Sequence, residues 1–324
     1  MKKVQVLLSA YNGEKYLAQQ LDSILSQRDV QVSVLVRDDA SLDATPQILA
    51  AYTEQYETIS VYKGIRKGAA GSFFDLLART ELSADYYAFA DQDDVWYADK
   101  LIHAVCRLEA EKEEIQAVWS MEAGAALEKQ MLPLLYAGKV ICASDDLSRQ
   151  ETFAYRVAKK ASFGNALVEN ICMGCTQVFN RSLLLLVREY LRNGMKLAIF
   201  HDWWMYLTAA YFGKVVFDQN AYMLYRQHGN NEVGMQNRWD MRWKNRLRQI
   251  RGRKHKLSCQ AVVFRRVYAG LPALRREDET RLERFCGYRS SFWKRIRLAS
   301  DAGIYRQNGL DDFICRLLAV FGYL

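Results

Sequence analysis

Short apolar runs alternate with helical patterns through the first hundred residues of the chain. Four runs rich in β-forming residues predict strands: VQVLLS (4–9), VSVLV (32–36), ISVYK (59–63) and YYAFA (86–90). Apolar positions at helical spacing predict three helices after the first three runs, at 14–27, 43–56 and 71–79. Repeated strand-then-helix units predict a parallel sheet, because each helix supplies the crossover that parallel neighbours require.

Polar segments follow each predicted strand, at the edge of the sheet where ligands bind in such folds. These segments hold carboxylates together with cations: Asp38, Asp39, Asp91, Asp93, Asp94, Arg66 and Lys67. Because neighbouring carboxylates repel one another unless a cation joins them, one interpretation is a metal site. The other is that Asp43 and Asp94 cap helices while the remaining carboxylates are solvated turn residues.

The spacing of the acidic residues in DQDD favours the metal site. In an extended chain Asp91 and Asp93 point to the same side, whereas Gln92 points away. Two carboxylates on one side suit a hard cation such as Mg²⁺ or Mn²⁺. A zinc site is not expected, because the pair Cys172 and Cys175 has no second pair nearby and the four histidines are far apart.

Several common enzyme classes are excluded by missing motifs. The first strand is followed by SAYNG rather than by the G-x-G-x-x-G of dinucleotide-binding folds. Neither a P-loop nor a G-x-S-x-G nucleophile elbow occurs anywhere in the sequence. NAD enzymes, P-loop NTPases and serine hydrolases are therefore not expected.

Composition is that of an ordinary globular protein, with 50% hydrophobic and 25% charged residues in 324. No apolar stretch approaches the roughly 20 residues needed to cross a bilayer, and the start of the chain turns polar too early for a signal peptide. Seven cysteines fit reduced thiols better than a disulfide framework. We therefore expect a protein of the cytosol.

Charge is distributed unevenly along the chain. Residues 235–324 carry 21 Lys or Arg against eight Asp or Glu, a net charge of +13, whereas residues 1–234 have a net charge of −5. An acidic body with a basic tail predicts a catalytic or binding domain followed by a segment that is attracted to phosphate groups.

An amphipathic pattern marks the start of that tail, at 239–257. Trp239, Trp243, Leu247 and Ile250 form a narrow apolar stripe among arginines and lysines, which is typical of a helix lying in an anionic membrane interface. Alternatively, the stripe packs on the catalytic domain. Nucleic acid is not expected as a partner, because no motif that reads DNA or RNA accompanies the charge. The final segment, 313–324, is too short to span a membrane and either dips into the interface or docks on a partner.

Five segments carry a family resemblance. In chain order they are VQVLLSAYNGEKYL (4–17), VRDDASLD (36–43), FADQDDVW (89–96), HDWW (201–204) and YRQHGNN (225–231). Together they resemble the family 2 glycosyltransferases of the GT-A fold, most closely the bacterial rhamnosyltransferases that build cell-surface polysaccharides. The resemblance implies an α/β fold with a mainly parallel central sheet over residues 1–234, followed by a basic, mainly helical region over residues 235–324.

The resemblance also implies roles for individual residues. Donor contacts would come from Ser9, Tyr11, Asp38, Asp39, Lys67, Asp91, Arg226 and His228. Asp91, Asp93 and His228 would hold Mg²⁺ or Mn²⁺ on the donor diphosphate. The acceptor side would include Gly174, Trp203 and Trp204, although two adjacent tryptophans on a helix point about 100° apart, so at least one belongs to the core.

Asp202 is the catalytic base that the resemblance implies. An acceptor hydroxyl must lose its proton as it attacks the anomeric carbon, and a carboxylate on the far side of the sugar from the diphosphate suits this displacement. The neighbouring indoles would partly desolvate Asp202 and raise its pKa. The alternative is that Asp202 is only a helix N-cap.

The expected activity is inverting transfer of L-rhamnose from dTDP-β-L-rhamnose to a lipid-linked saccharide, at the inner face of the cell membrane. Two alternatives stay open. The same chemistry could use a UDP-hexose donor, or the protein could bind nucleotide sugars or polyanions without catalysis.

Overall fold

The computed structural model describes residues 1–123, 132–152, 157–192, 194, 200–228 and 255–324.

The N-terminal part of the chain forms the predicted parallel sheet. Its elements are β1 (Lys2–Ala10), α1 (Leu17–Leu25), β2 (Val30–Asp38), α2 (Thr45–Gln55), β3 (Ile59–Lys63), α3 (Gly68–Arg79) and β4 (Tyr86–Asp91). Strand β1 pairs in parallel with β2 and β4, and β2 pairs in parallel with β3. The four predicted strands and three predicted helices are confirmed, with bounds that differ by at most three residues.

Residues 95–226 extend the sheet with strands of both directions. The elements are β5 (Val95–Trp96), α4 (Lys100–Ala123), β6 (Leu134–Ala143), β7 (Gln150–Thr152), α5 (Phe163–Ala166), β8 (Val178–Asn180), α6 (Arg181–Arg192), α7 (His201–Phe212) and β9 (Lys214–Arg226). The strand order is β3-β2-β1-β4-β8-β6-β9-β5, with β7 beside β6. Strand β8 runs antiparallel to β4 and β6, whereas β6 and β9 are parallel, so the sheet is mixed but mostly parallel.

Apolar side chains fill both faces of the sheet, as the alternation along β1 requires. Val4, Val6 and Leu8 point to the face covered by α1, α2 and α4, while Leu7 points to the face covered by α3, α6 and α7. Helices on both faces bury most of β1 and β4, and the polar strand ends are left as the accessible edge.

Four helices of the C-terminal region pack on the face that carries α7. They are α8 (Lys256–Val267), α9 (Arg276–Gly287), α10 (Phe292–Ala299) and α11 (Gly309–Val320). The ring of Phe264 in α8 lies 5.4 Å from that of Trp204 and 5.3 Å from that of Tyr211, both in α7. The described C-terminal helices therefore share one hydrophobic core with the sheet.

The predicted amphipathic stripe, Trp239 to Ile250, lies outside the described residues. Within the described residues, no helix combines the length and the apolar character needed to cross a membrane. The final predicted segment, 313–324, falls mostly within helix α11.

Candidate active site

A cleft of about 1080 Å³ opens at the carboxyl ends of β1 and β4. Nine of the thirteen residues to which the resemblance gives roles line it: Ser9, Tyr11, Asp39, Asp91, Asp93, Gly174, Asp202, Trp203 and His228. Four others do not: Asp38, Lys67, Trp204 and Arg226. The cleft continues to residues of α11, including Ile314 and Leu318.

Gln92 joins the ends of β1 and β4. Its side-chain oxygen accepts a hydrogen bond from the Tyr11 N–H at 2.7 Å, and its amide donates to the Tyr11 carbonyl at 3.0 Å. A Cβ at Gly13 would lie 2.3 Å from the Gln92 oxygen, so a larger residue there would displace this hydrogen-bonded side chain. Gln92 and Asp93 form a turn after β4, so the chain is not extended through DQDD as the prediction assumed, and Gln92 fixes Tyr11 at the cleft.

The two aspartates at the end of β2, Asp38 and Asp39, are buried and hydrogen-bonded within the protein. Asp38 accepts a hydrogen bond from the Ser41 N–H and does not reach the cleft, contrary to the expected donor contact. Asp39 lines the cleft, and its carboxylate accepts hydrogen bonds from the backbone N–H groups of Lys67 and Gly68. Asp39 therefore holds the loop before α3 against the cleft wall.

Arg37 is a buried cation that the sequence pattern did not reveal. Its guanidinium pairs with Asp39 and, at 3.0 Å, with Asp75 of α3. Burial by itself raises the pKa of Asp75, but hydrogen bonds from Lys67 and Arg37 lower that pKa to about 2. The Lys67 ammonium lies 2.8 Å from Asp75 rather than in the cleft, so its expected direct contact with the donor is not present in this arrangement.

Asp93 and His228 meet at the cleft although 135 residues separate them. His228 Nε2 lies 2.7 Å from the Asp93 carboxylate, and its ring stacks on Tyr16 with the ring centroids 5.0 Å apart. Arg226, which we expected at the diphosphate, instead donates to the Asp93 carbonyl at 2.8 Å and lies over the Tyr16 ring. Arg226 thus supports the backbone that carries Asp93.

Asp94 lies buried behind the cleft and does not cap a helix, because α4 begins only at Lys100. Burial raises the pKa of Asp94 well above its usual range, and repulsion from Asp91 and Asp93 raises it further. One of its oxygens has no hydrogen-bond partner among the described residues. Such crowded carboxylates are the arrangement that a bound cation would relieve.

The oxygen and imidazole donors at this edge fit a hard divalent cation. Asp91 and Asp93 offer carboxylates in the cleft, and His228 offers a nitrogen next to Asp93. The ligand atoms of Asp91, Asp94 and Cys175 also lie within 4.8 Å of one another. Burial raises the pKa of the Cys175 thiol well above its usual range, so a protonated and poorly ligating sulfur is expected there.

A second buried cation, Lys100, lies beneath the acidic group. Its ammonium is 3.3 Å from the centroid of the Trp96 ring and has no hydrogen-bond acceptor among the described residues. Burial lowers the pKa of Lys100 to about 7. No local pattern marks this lysine, because its role depends on how β5 and α4 fold under the cleft.

Asp202 is the second residue of α7 and lies in the first helical turn, after Phe200 at the N-cap position. Its carboxylate accepts a hydrogen bond from the Trp203 N–H at 2.7 Å, and Asn170 and the Gly174 N–H also donate to it. Burial outweighs these hydrogen bonds and raises the pKa of Asp202 to about 6, as we expected from its sequence context.

A short turn at Gly174–Thr176 separates Asp202 from the acidic group. A Cβ at Gly174 would lie 3.0 Å from His201 Nε2 and 3.5 Å from the Asp202 Cβ. The next residue, Cys175, lies beside Asp91 and Asp94. Asp202 therefore lies beside Gly174, and the carboxylates at the end of β4 lie beside the next residue, Cys175, so that this turn stands between the two acidic groups.

Comparison with known proteins adds to this geometry. The sequence pattern described as Glycosyl transferase family 2 matches residues 5–184, more than half of the chain. The chain belongs to this family. It is also similar to the dTDP-rhamnosyl transferase RfbG of Shigella flexneri, with 29% identity over 237 residues, covering 70% of this chain and 73% of RfbG.

Other similarities to this family 2 glycosyl transferase are shorter or lie in the fold alone. A putative teichuronic acid biosynthesis glycosyltransferase, TuaG of Bacillus subtilis, is 35% identical over 99 residues, which cover 30% of this chain and 38% of TuaG. The crystal structure of S. aureus TarS 1-349 with UDP-GlcNAc superposes with a TM-score of 0.53 at 15% identity, covering 98% of this chain and 81% of that one. The expected family and GT-A fold are confirmed.

The two adjacent tryptophans of the glycosyl transferase lie in different surroundings. Trp203 lines the cleft and donates its indole N–H to the Ala166 carbonyl at 2.6 Å. Trp204 is completely buried, with its ring 4.1 Å from that of Tyr190. Trp204 is thus a core residue, and the prediction that it contacts the acceptor is wrong. The cause is the helical turn, which directs adjacent side chains to different faces of α7.

His201 is a buried, neutral side chain of this glycosyl transferase and sits next to Asp202. Its ring stacks on Phe73 at 4.2 Å, and neither ring nitrogen has a hydrogen-bond partner among the described residues. Burial lowers the pKa of His201 to about 3, because the imidazolium cannot be solvated there.

Unfolding of the protein is expected to depend on pH through His201. In the unfolded chain a histidine binds its proton near pH 6.5, but folded His201 does not, so the free energy of unfolding falls as pH drops below about 6.5. His201→Phe removes no hydrogen bond. Its free energy of unfolding should therefore fall by about 2 kcal/mol less than that of the wild type between pH 7 and pH 5. Urea unfolding of both proteins at the two pH values measures this difference, and parallel losses would contradict it.

Proposed function

We propose that this glycosyl transferase moves L-rhamnose from dTDP-β-L-rhamnose to a hydroxyl of a lipid-linked saccharide, with inversion at the anomeric carbon. The similarity to RfbG over 237 residues supports the choice of donor. The proposed product is an α-L-rhamnoside in a cell-surface polysaccharide, made at the inner face of the cell membrane.

The position of Asp202 in the cleft is the observation that supports inversion at the anomeric carbon. An in-line displacement needs a base on one side of the reacting sugar and the departing diphosphate on the other. Asp202 and the acidic group at the end of β4 flank the turn at Gly174 and Cys175, and both face the same cleft. A sugar placed over this turn would have a carboxylate on each side.

The proton transfer follows from the surroundings of Asp202. A pKa of about 6 leaves the carboxylate mostly ionised at pH 7, yet basic enough to accept the proton of the acceptor hydroxyl. Hydrogen bonds from Trp203 and Gly174 fix the orientation of the carboxylate before the acceptor arrives.

The donor would occupy the part of the cleft between β1 and α3. Tyr11 and Ser9 border it, and the Arg66 guanidinium covers the Tyr11 ring at 4.3 Å. Asp91, Asp93 and His228 would hold Mg²⁺ or Mn²⁺. When bound, this cation would offset the negative charge of the leaving diphosphate.

Three of the residues proposed for the donor act from behind the cleft in this arrangement. Asp38 fixes the turn after β2, Lys67 pairs with Asp75, and Arg226 supports the Asp93 backbone. We propose that they position the donor contacts rather than touch the donor.

A donor screen tests the proposed specificity. Release of nucleoside diphosphate would be measured with dTDP-rhamnose, dTDP-glucose, UDP-glucose and UDP-GlcNAc, each with a lipid extract of the cells that make the protein. We expect dTDP-rhamnose to be preferred by about 100-fold, since a pocket rejects a wrong sugar by leaving its polar groups unpaired.

The same screen separates the alternatives. Faster release from a UDP-hexose would reject rhamnose as the donor sugar but keep the chemistry. If every donor bound without release in the presence of the extract, the protein would be a binding protein rather than an enzyme.

A further inference from the structure

Helices α10 and α11 present an exposed apolar surface, called here the hairpin surface. Trp293 at the start of α10 is 77% exposed, and Phe321 just after α11 is 64% exposed. The other members of the surface are Phe292, Leu310, Phe313 and Leu317. Large apolar side chains gathered in this way usually mark a surface that binds a partner.

Helix α11 connects this surface to the cleft. Leu310, Phe313 and Leu317 recur at helical spacing on its exposed side, while Ile314 and Leu318 line the cleft. One helix therefore forms the wall of the cleft and part of the exposed apolar surface.

Cations surround the aromatic end of the hairpin surface. Between residues 289 and 299 the chain has four Lys or Arg and no Asp or Glu. A Cβ at Gly322 would lie 3.3 Å from the Arg295 guanidinium, so the end of α11 lies against α10. Phe321 and the exposed Arg289, Lys294 and Arg297 are thus parts of one end of the hairpin.

We propose that the hairpin surface docks on a lipid bilayer that carries anionic headgroups, and thereby sets the α11 side of the cleft at the membrane. Exposed tryptophan and phenylalanine beside lysine and arginine are the chemistry of an interfacial helix. Charge favours this occupant over a second protein chain, because the four cations between residues 289 and 299 have no carboxylate among them and are complementary to anionic headgroups. The orientation rests on the proposed lipid-linked acceptor, whereas the docking itself does not.

Vesicle binding by the full chain tests the docking. Sedimentation would use vesicles of phosphatidylcholine alone and vesicles with equal parts of phosphatidylglycerol. We expect binding to the anionic vesicles, about tenfold weaker for each of Trp293→Ser and Phe321→Ser. Each of Arg289→Gln, Lys294→Gln and Arg297→Gln should weaken it about fivefold.

The control variant is Leu185→Ser, which removes a leucine that is 43% exposed from α6 and should bind as the wild type does. Hydrogen exchange on the wild type gives a measurement that does not depend on variant folding: vesicles should protect residues 292–323 and leave α6 unchanged. Wild-type affinity in Trp293→Ser and Phe321→Ser, or no protection of residues 292–323, would overturn the proposal.

Two further outcomes are informative. If the wild type is a dimer without vesicles and these substitutions make it monomeric, the surface is a subunit contact and the proposal fails. Because binding is measured without substrate, vesicle binding together with no release in the donor screen would refute only the proposed function.

Discussion

Replacing Asp202 with asparagine should reduce sugar transfer by about three to four orders of magnitude, because the acceptor proton then has no base to receive it. Binding of the nucleotide sugar should stay nearly unchanged, since asparagine keeps the size and shape of this side chain. In the wild type the rate should fall as pH drops below about 6, where the Asp202 carboxylate becomes protonated at its raised pKa. Steady-state rates across pH and calorimetric titration of the donor measure these effects.

The same substitution should stabilise the protein. The pKa of Asp202 is higher in the folded state than the ordinary value of 3.8, so keeping the carboxylate ionised at pH 7 costs folding free energy. Asp202→Asn removes this cost and should raise the free energy of unfolding by about 2 kcal/mol at pH 7, with the gain vanishing below about pH 4. Asp146→Asn, in an exposed loop away from the cleft, is the control and should leave transfer intact. Full activity in Asp202→Asn would show that Asp202 is not the catalytic base.

Asp93→Asn should weaken binding of dTDP in the presence of Mn²⁺ on the order of 100-fold, since the proposed cation loses a charged ligand. In EDTA the wild type and the variant should bind dTDP equally weakly. Isothermal titration would use dTDP and, as the ligand that lacks the second phosphate, dTMP. Comparing the two separates the effect on diphosphate binding from contacts with the thymine base.

Asp99→Asn provides a matched control for that experiment. Asp99 lies six residues after Asp93 and is exposed outside the cleft, so the same chemical change should have no effect on dTDP binding. Equal affinities of Asp93→Asn and the wild type in Mn²⁺ would show that Asp93 does not hold the cation.

The parallel half of the sheet could be predicted because its signals are local. Each strand of residues 2–91 contains a short run rich in β-forming apolar residues, and a polar segment follows each run. The antiparallel part could not be predicted in this way. Strand β8 has only three residues, and it belongs to the sheet through pairing with β4 and β6, which are distant in sequence.

The candidate site was predictable where the chemistry lies at strand ends. Asp91, Asp93 and His228 were all singled out, and the structure brings them to one cleft. Arg37 was not recognised as buried, because its partners Asp39 and Asp75 belong to different elements. Lys100 was missed for the same reason, since burial of a single charge depends on tertiary packing rather than on sequence pattern.

The shared core between α7 and α8 limits how proteins with this architecture can diversify. Phe264 of α8 packs against Trp204, two residues after Asp202, so the proposed base rests on a helix that the C-terminal region helps to hold. A linked module can be exchanged between proteins by recombination, whereas a region that completes the core cannot be removed without exposing it. New acceptor preferences are therefore expected to arise by point substitutions along the cleft wall rather than by swapping the C-terminal region.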